Sequence, residues 1–122
     1  MLFRMQPCRH QQLGYQLLLK AANSPHPLIS MEAKYFLMKI NLEISKNYSE
    51  ALKWSTKLVV SYPENILYRY YLLETLGELG RSEDMQEEFT RIQSLSANLP
   101  GISGKQNNHF VNRANRLLKK YK

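Results

Sequence analysis

An all-α fold is what this sequence predicts, on three observations. Apolar residues recur at helical spacing in six successive segments, helix-starting and helix-stopping residues fall between those segments, and no stretch sustains the apolar–polar alternation of a strand. Over residues 11–23, Leu13, Leu17 and Ala21 share one stripe with Leu18 beside it. Pro25-His26-Pro27 ends this helix, because proline has no N–H to donate and restricts the residue before it. Ser30 then offers a cap for a second helix, whose Ala33, Tyr35, Phe36, Leu37, Met38, Ile40, Leu42 and Ile44 are apolar nearly all the way round. Such a helix expects neighbours on more than one side.

Asn47-Tyr48-Ser49-Glu50 has the spacing of a capping box and opens a third helix running to Ser61. After the break at Tyr62-Pro63-Glu64, Asn65 caps a fourth helix from Ile66 to Leu79, and Gly80 supplies the left-handed residue that ends it. Ser82 starts a fifth, with Glu83 and Asp84 favourable against its positive end and Met85, Phe89, Ile92 and Leu95 at helical spacing. Residues 98–106, holding Pro100, Gly101, Ser103 and Gly104, read as a loop. Asn107 or Asn108 opens a sixth helix with Phe110, Val111, Ala114, Leu117, Leu118 and Tyr121 on one face and Arg113, Arg116, Lys119 and Lys120 flanking it.

Composition fits a single domain: 122 residues, 43% hydrophobic, 22% charged, with five Gly and five Pro that do not cluster. The one cysteine, Cys8, leaves no internal disulfide framework and no cysteine-rich zinc site. No run approaches the length of a membrane span, and residues 1–12 lack the layout of a secretory signal, so a cytoplasmic location is expected. The net charge of +7 is unevenly placed. Residues 1–31 carry +3, residues 32–90 carry −3 with all ten acids, and residues 91–122 carry +7. A nucleic-acid reading would rest on the ends alone.

Residues about 34 apart match in character: Met38 with Leu72, Leu42 with Leu76, Ala51 with Met85, Leu58 with Ile92. On these positions the chain resembles the tetratricopeptide repeat family. One copy supplies Tyr35, Met38, Leu42, Ala51 and Pro63 at the family's spacings, and the other Leu72, Leu76, Gly80, Met85 and Phe89. Departures are Lys39 and Leu73 for a small residue, Ser55 for an aromatic and Met85 for alanine. The resemblance implies a short α-solenoid of antiparallel helix pairs. Residues 1–10 would be a frayed terminus, 11–29 a lone helix of a partial repeat, 30–65 and 66–99 the two repeats, and 100–122 a loop and capping helix. Two repeats are fewer than such stacks usually need, so Leu13, Leu17 and Leu18 would meet either a second copy of the chain or more of a longer parent protein.

The resemblance also implies a function: a protein-interaction module whose concave surface comes from the first helix of each pair. Ala33, Phe36, Leu37, Ile40 and Ile44 of one copy, and Leu67, Tyr70, Tyr71, Glu74 and Glu78 of the other, would face it. These are not the Lys, Asn and Arg that grip acidic carboxyl-terminal tails in this family. An apolar groove edged by Glu43, Glu74 and Glu78 favours an apolar or basic peptide or helix.

No enzyme is expected. Cys8 and His10 lack a third ligand nearby, His26 sits between prolines, His109 opens the last helix, and there is no phosphate-cradling glycine loop or nucleophile elbow. Neither a metal nor a cofactor is called for. Glu83, Asp84, Glu87 and Glu88 read as solubilising charge, and Trp54 with Tyr68-Arg69-Tyr70-Tyr71 reads as core. The alternative function is binding of RNA or an anionic membrane surface through the basic last helix, motivated by the absence of acids after Glu88.

Overall fold

The computed structural model of the protein describes residues 9–98 and 104–121, with side chains at 12–98, 109 and 111–121. Six helices follow in order: α1 (Arg9–Ala22), α2 (Pro27–Lys39), α3 (Tyr48–Ser61), α4 (Ile66–Glu78), α5 (Ser82–Asn98) and α6 (Gly104–Tyr121). A π-helical turn, Ile40–Ile44, continues α2. Among the described residues there is no strand. Each helix packs against the next, and α6 returns to α4 as well as to α5.

Most helix ends are fixed by local chemistry. The Asn47 side chain accepts from the Glu50 N–H at 3.3 Å and the Asn65 side chain from the Tyr68 N–H at 3.1 Å, each satisfying a first-turn donor the helix itself cannot reach. Gly80 stands at φ 73, and the Arg81 and Gly80 N–H groups bond back to the carbonyls of Leu76 and Gly77, a Schellman ending. Residue 46, exactly one 34-residue period earlier, is Lys46 at φ 56, so a lysine holds the left-handed turn where the second unit has glycine.

Three limits differ from the expectation. The second helix starts at Pro27, not after Ser30: proline is at home in the first turn, where its missing N–H has no partner to lose, and the exposed His26 accepts from the Ile29 N–H through Nδ1. Ser30 instead donates its hydroxyl to the Ala22 carbonyl at 2.7 Å and ties α1 to α2. The sixth helix starts at Gly104, so Gly104–Gln106 are helical while Asn98 closes α5, and residues 99–103 lie outside the described residues. The first helix includes Arg9 and His10, and residues 1–8 of the expected frayed terminus lie outside the described residues.

The π turn carries a buried polar junction. The Ser45 N–H reaches the Ile40 carbonyl, five residues back, at 3.0 Å. Asn41, on this turn, donates to the Leu37 carbonyl at 2.8 Å and to the Tyr15 hydroxyl of α1 at 2.9 Å, and accepts from the Ser45 hydroxyl. Thr75, one period later, makes the same backward bond to the Tyr71 carbonyl at 2.8 Å.

All eight residues paired by the 34-residue spacing are buried, Met38, Leu42, Ala51 and Leu58 with Leu72, Leu76, Met85 and Ile92. They form one core with Leu37, Trp54, Leu73, Phe89 and, from α6, Ala114, Leu117 and Leu118. Each such leucine contributes about 1.5–3 kcal/mol by leaving water. Glu88 belongs to this interior and does not serve as solubilising charge. Its carboxylate accepts from Arg69 Nη1 at 3.2 and 3.0 Å and from Arg91, while Arg69 Nε donates to the Pro63 carbonyl, which pins α4 to α5.

A candidate protein-docking groove

Along α2 and its π turn, residues 29, 36, 40 and 44 fall on one side, because steps of seven, four and four return a helix to nearly the same face. The core does not cover that side. Phe36 is 51% exposed and Ile44 75%, Ile29 is exposed, and Ile40 is half-buried. Ala33 and Leu37, expected on the same surface, are buried in the core instead, because the neighbouring helices close over their side of α2.

Beside this stripe α2 and α4 meet through aromatic rings. The Tyr35 ring stands 6.1 Å from Tyr68 and 6.0 Å from Tyr71, and Phe36 packs edge-on to Tyr35 at 5.9 Å, arrangements that suit ring quadrupoles. Between the middle of α2 and the first turn of α4 the rings leave a groove of about 450 Å³, lined by Glu32, Tyr35, Phe36, Asn65, Leu67 and Tyr68. Its walls are apolar and aromatic, with one carboxylate at the rim. Glu32 has no ion pair among the described residues.

The other end of the α2–α4 boundary is polar. Lys39 donates to Glu43 at 2.5 Å and to the Tyr71 hydroxyl at 3.1 Å, with its ammonium 4.5 Å from the Tyr71 ring centre. Burial pulls the Lys39 ammonium down, but these two partners outweigh it and hold the group above the usual lysine value. Glu74 is half-buried and its carboxyl is raised, first by burial and then by Glu43, with Lys39 and Lys120 acting in the opposite direction.

Here the expected groove residues separate into two groups. Phe36, Ile40, Glu43, Leu67 and Tyr71 lie on or beside the open surface between α2 and α4. Tyr70 and Glu78 turn toward α6, and Glu74 stands between the two sides, near Glu43 and Lys39 as well as Lys120. Tyr70 is only 8% exposed, with the Arg113 guanidinium 4.7 Å from its ring centre. The Tyr121 hydroxyl donates to Glu78, and the Tyr121 ring lies so close to Gly77 that a Cβ there would collide with it. Glu32, Tyr35, Asn65 and Tyr68 also line the groove without having been singled out for it. A spacing argument could have found Glu32, which precedes Phe36 by one helical turn; Asn65 and Tyr68 required knowing which helices are neighbours.

The remaining residues weighed for chemistry are placed as follows. His26 is a helix cap, His109 is exposed on α6, and Cys8 and the His10 side chain lie outside the described residues. Among the described residues no group of three or more His, Cys, Asp or Glu is arranged to hold a metal ion, and no helix is long and apolar enough to cross a membrane. On α1, which packs against α2, Leu13 and Leu17 are 55% and 59% exposed, whereas Leu18 packs against the core. Compared with family models, with curated proteins and with solved structures, the chain matches none.

Proposed function

We propose that the chain is a protein-interaction module, a short helical stack of tetratricopeptide type that holds a peptide or helix of another protein in the groove between α2 and α4. One observation carries this reading: the side of α2 bearing Ile29, Phe36, Ile40 and Ile44 is apolar and uncovered, and it borders a groove walled by Tyr35, Leu67 and Tyr68. Burial at every one of the four residue pairs spaced by 34 supports the repeat character of the two helix pairs.

Binding of RNA or an anionic membrane through α6 has less support. Arg113 is stacked on Tyr70 and the Lys120 ammonium stands 5.1 Å from the Tyr121 ring centre, so two of the four flanking cations already make contacts within the chain. Self-association through Leu13 and Leu17 of α1 would use exposed residues that do not line the groove, and light scattering reads it directly.

Selection of displayed random peptides against the full chain tests the groove. Peptides enriched on the wild type should lose binding to Phe36→Asp and Leu67→Asp while keeping it to Leu13→Asp. Enrichment that survives both groove changes refutes the assignment.

A further inference from the structure

Resting on that reading, the internal repeat identifies what kind of segment the groove takes. The second unit presents its equivalent stripe already covered. Tyr70, Glu74 and Glu78 stand one period after Phe36, Ile40 and Ile44, and Gly77 one period after Glu43. Over them lies α6, an amphipathic helix whose buried row is Ala114, Leu117 and Leu118 and whose cations flank it. Arg113 sits over the Tyr70 ring, and Tyr121 bonds Glu78 and presses its ring on Gly77. In the first unit no helix covers the corresponding row: Phe36 and Ile44 are largely exposed, and Glu43 is bonded by Lys39 of its own helix.

The charges around the open stripe point the same way. Glu32 and Glu43 stand 11 residues apart along it, about 16 Å at 1.5 Å per residue. Glu32 has no cation among the described residues, while Glu43 is paired with Lys39 of its own helix. A cationic segment laid along α2 would meet the unpaired Glu32 near one end and share Glu43 with Lys39 near the other, whereas an acidic one would meet like charge at Glu32.

We infer that the α2 stripe of Phe36, Ile40 and Ile44 binds a basic amphipathic helix of a partner protein, with the chemistry that α6 shows on α4. Its apolar row would lie on Phe36, Ile40 and Ile44, and its flanking lysines or arginines would reach Glu32 and Glu43.

The test uses the full chain, labelled for amide NMR, and two designed 18-residue helical peptides that share a leucine row and differ only in flanking residues, Lys and Arg in one and Glu in the other. The basic peptide should shift amides of residues 29–44 saturably, and the acidic one should bind at least about tenfold more weakly. Phe36→Ala should weaken the basic peptide by about tenfold. Glu32→Gln with Glu43→Gln should bring the two peptides to within about threefold of each other. Equal binding of both peptides to the wild type, or shifts from the basic peptide on acidic α5 instead, overturns the inference. If the acidic peptide or a display-selected extended peptide occupies the stripe and the basic helix does not, the partner class is wrong and the groove stands. If no peptide of any kind shifts residues 29–44, the groove reading falls with it.

Discussion

The helices α2 and α4 occupy corresponding places one 34-residue period apart, and they differ in what lies over one side of each. On α4 that side is roofed by α6, so Tyr70 is buried, Gly77 is pressed by a tyrosine ring, and Glu78 is hydrogen-bonded. On α2 the corresponding Phe36, Glu43 and Ile44 are exposed. The same periodic position is therefore structural in one unit and free for a partner in the other. What decides this is the neighbour and not the residue type, since an aromatic ring stands at both 36 and 70.

The most direct way to break the comparison is to truncate the two rings. Tyr70→Ala should cost about 3 kcal/mol, because it opens a cavity under α6, while Phe36→Ala should cost less than about 1 kcal/mol. Urea unfolding of both variants measures the gap, and equal losses would mean that α2 is covered after all. Next in size is Gly77→Val, which drives Cβ and Cγ atoms into the Tyr121 ring and should cost about 1–3 kcal/mol. Glu43→Val, its counterpart, should stay within about 1 kcal/mol, the worth of an exposed pair with Lys39. Thermal melts compare them.

A smaller difference lies at the two left-handed turns. Lys46→Gly should stabilise by about 0.5–1 kcal/mol by relieving the strain of a side chain at positive φ, and Gly80→Lys should lose a similar amount. The smallest effect concerns pH. Burial and Glu43 raise the Glu74 carboxyl above its model-compound value of 4.5, so the folded chain binds this proton more tightly than the unfolded chain does. Its contribution to stability is complete below 4.5 and is lost as pH rises through the folded value. Glu74→Gln should therefore melt higher than the wild type at neutral pH, and the gap should close as pH falls toward 4.5. A gap that widens on acidification would reverse the assignment.

Residues whose effect is local were legible in the sequence. Asn47, Asn65 and Gly80 act on atoms within a few residues of themselves, and each does what its type implies. Pro27 was ambiguous for a physical reason: proline both ends one helix and opens another, and only the second role holds here. The four matched core pairs were legible because burial follows periodicity. The π turn was not, since nothing in Ile40–Ile44 demands a five-residue hydrogen bond without Tyr15 of another helix to hold Asn41. The burial of Glu88 was not legible, because its charge points to solvent and its partner Arg69 lies 19 residues away on α4. For the groove, the sequence supplied Phe36, Ile40 and Leu67 but could not say that Ala33 and Leu37 turn inward or that α6 takes up Tyr70.

The π turn has a further consequence for chain length. A five-residue hydrogen-bond loop is a four-residue loop with one residue added, so the helix through Ile40–Ile44 can lose or hold a residue without losing its continuity. Everything before it, α1 and α2 together, would rotate about the helix axis by roughly one residue's turn, about 100°. A single deletion there would thus swing the stripe around Phe36 away from the groove wall at Leu67 and carry Leu37 and Met38 out of the core that α2 shares with α3, which makes this turn the joint at which the register of the open surface is set.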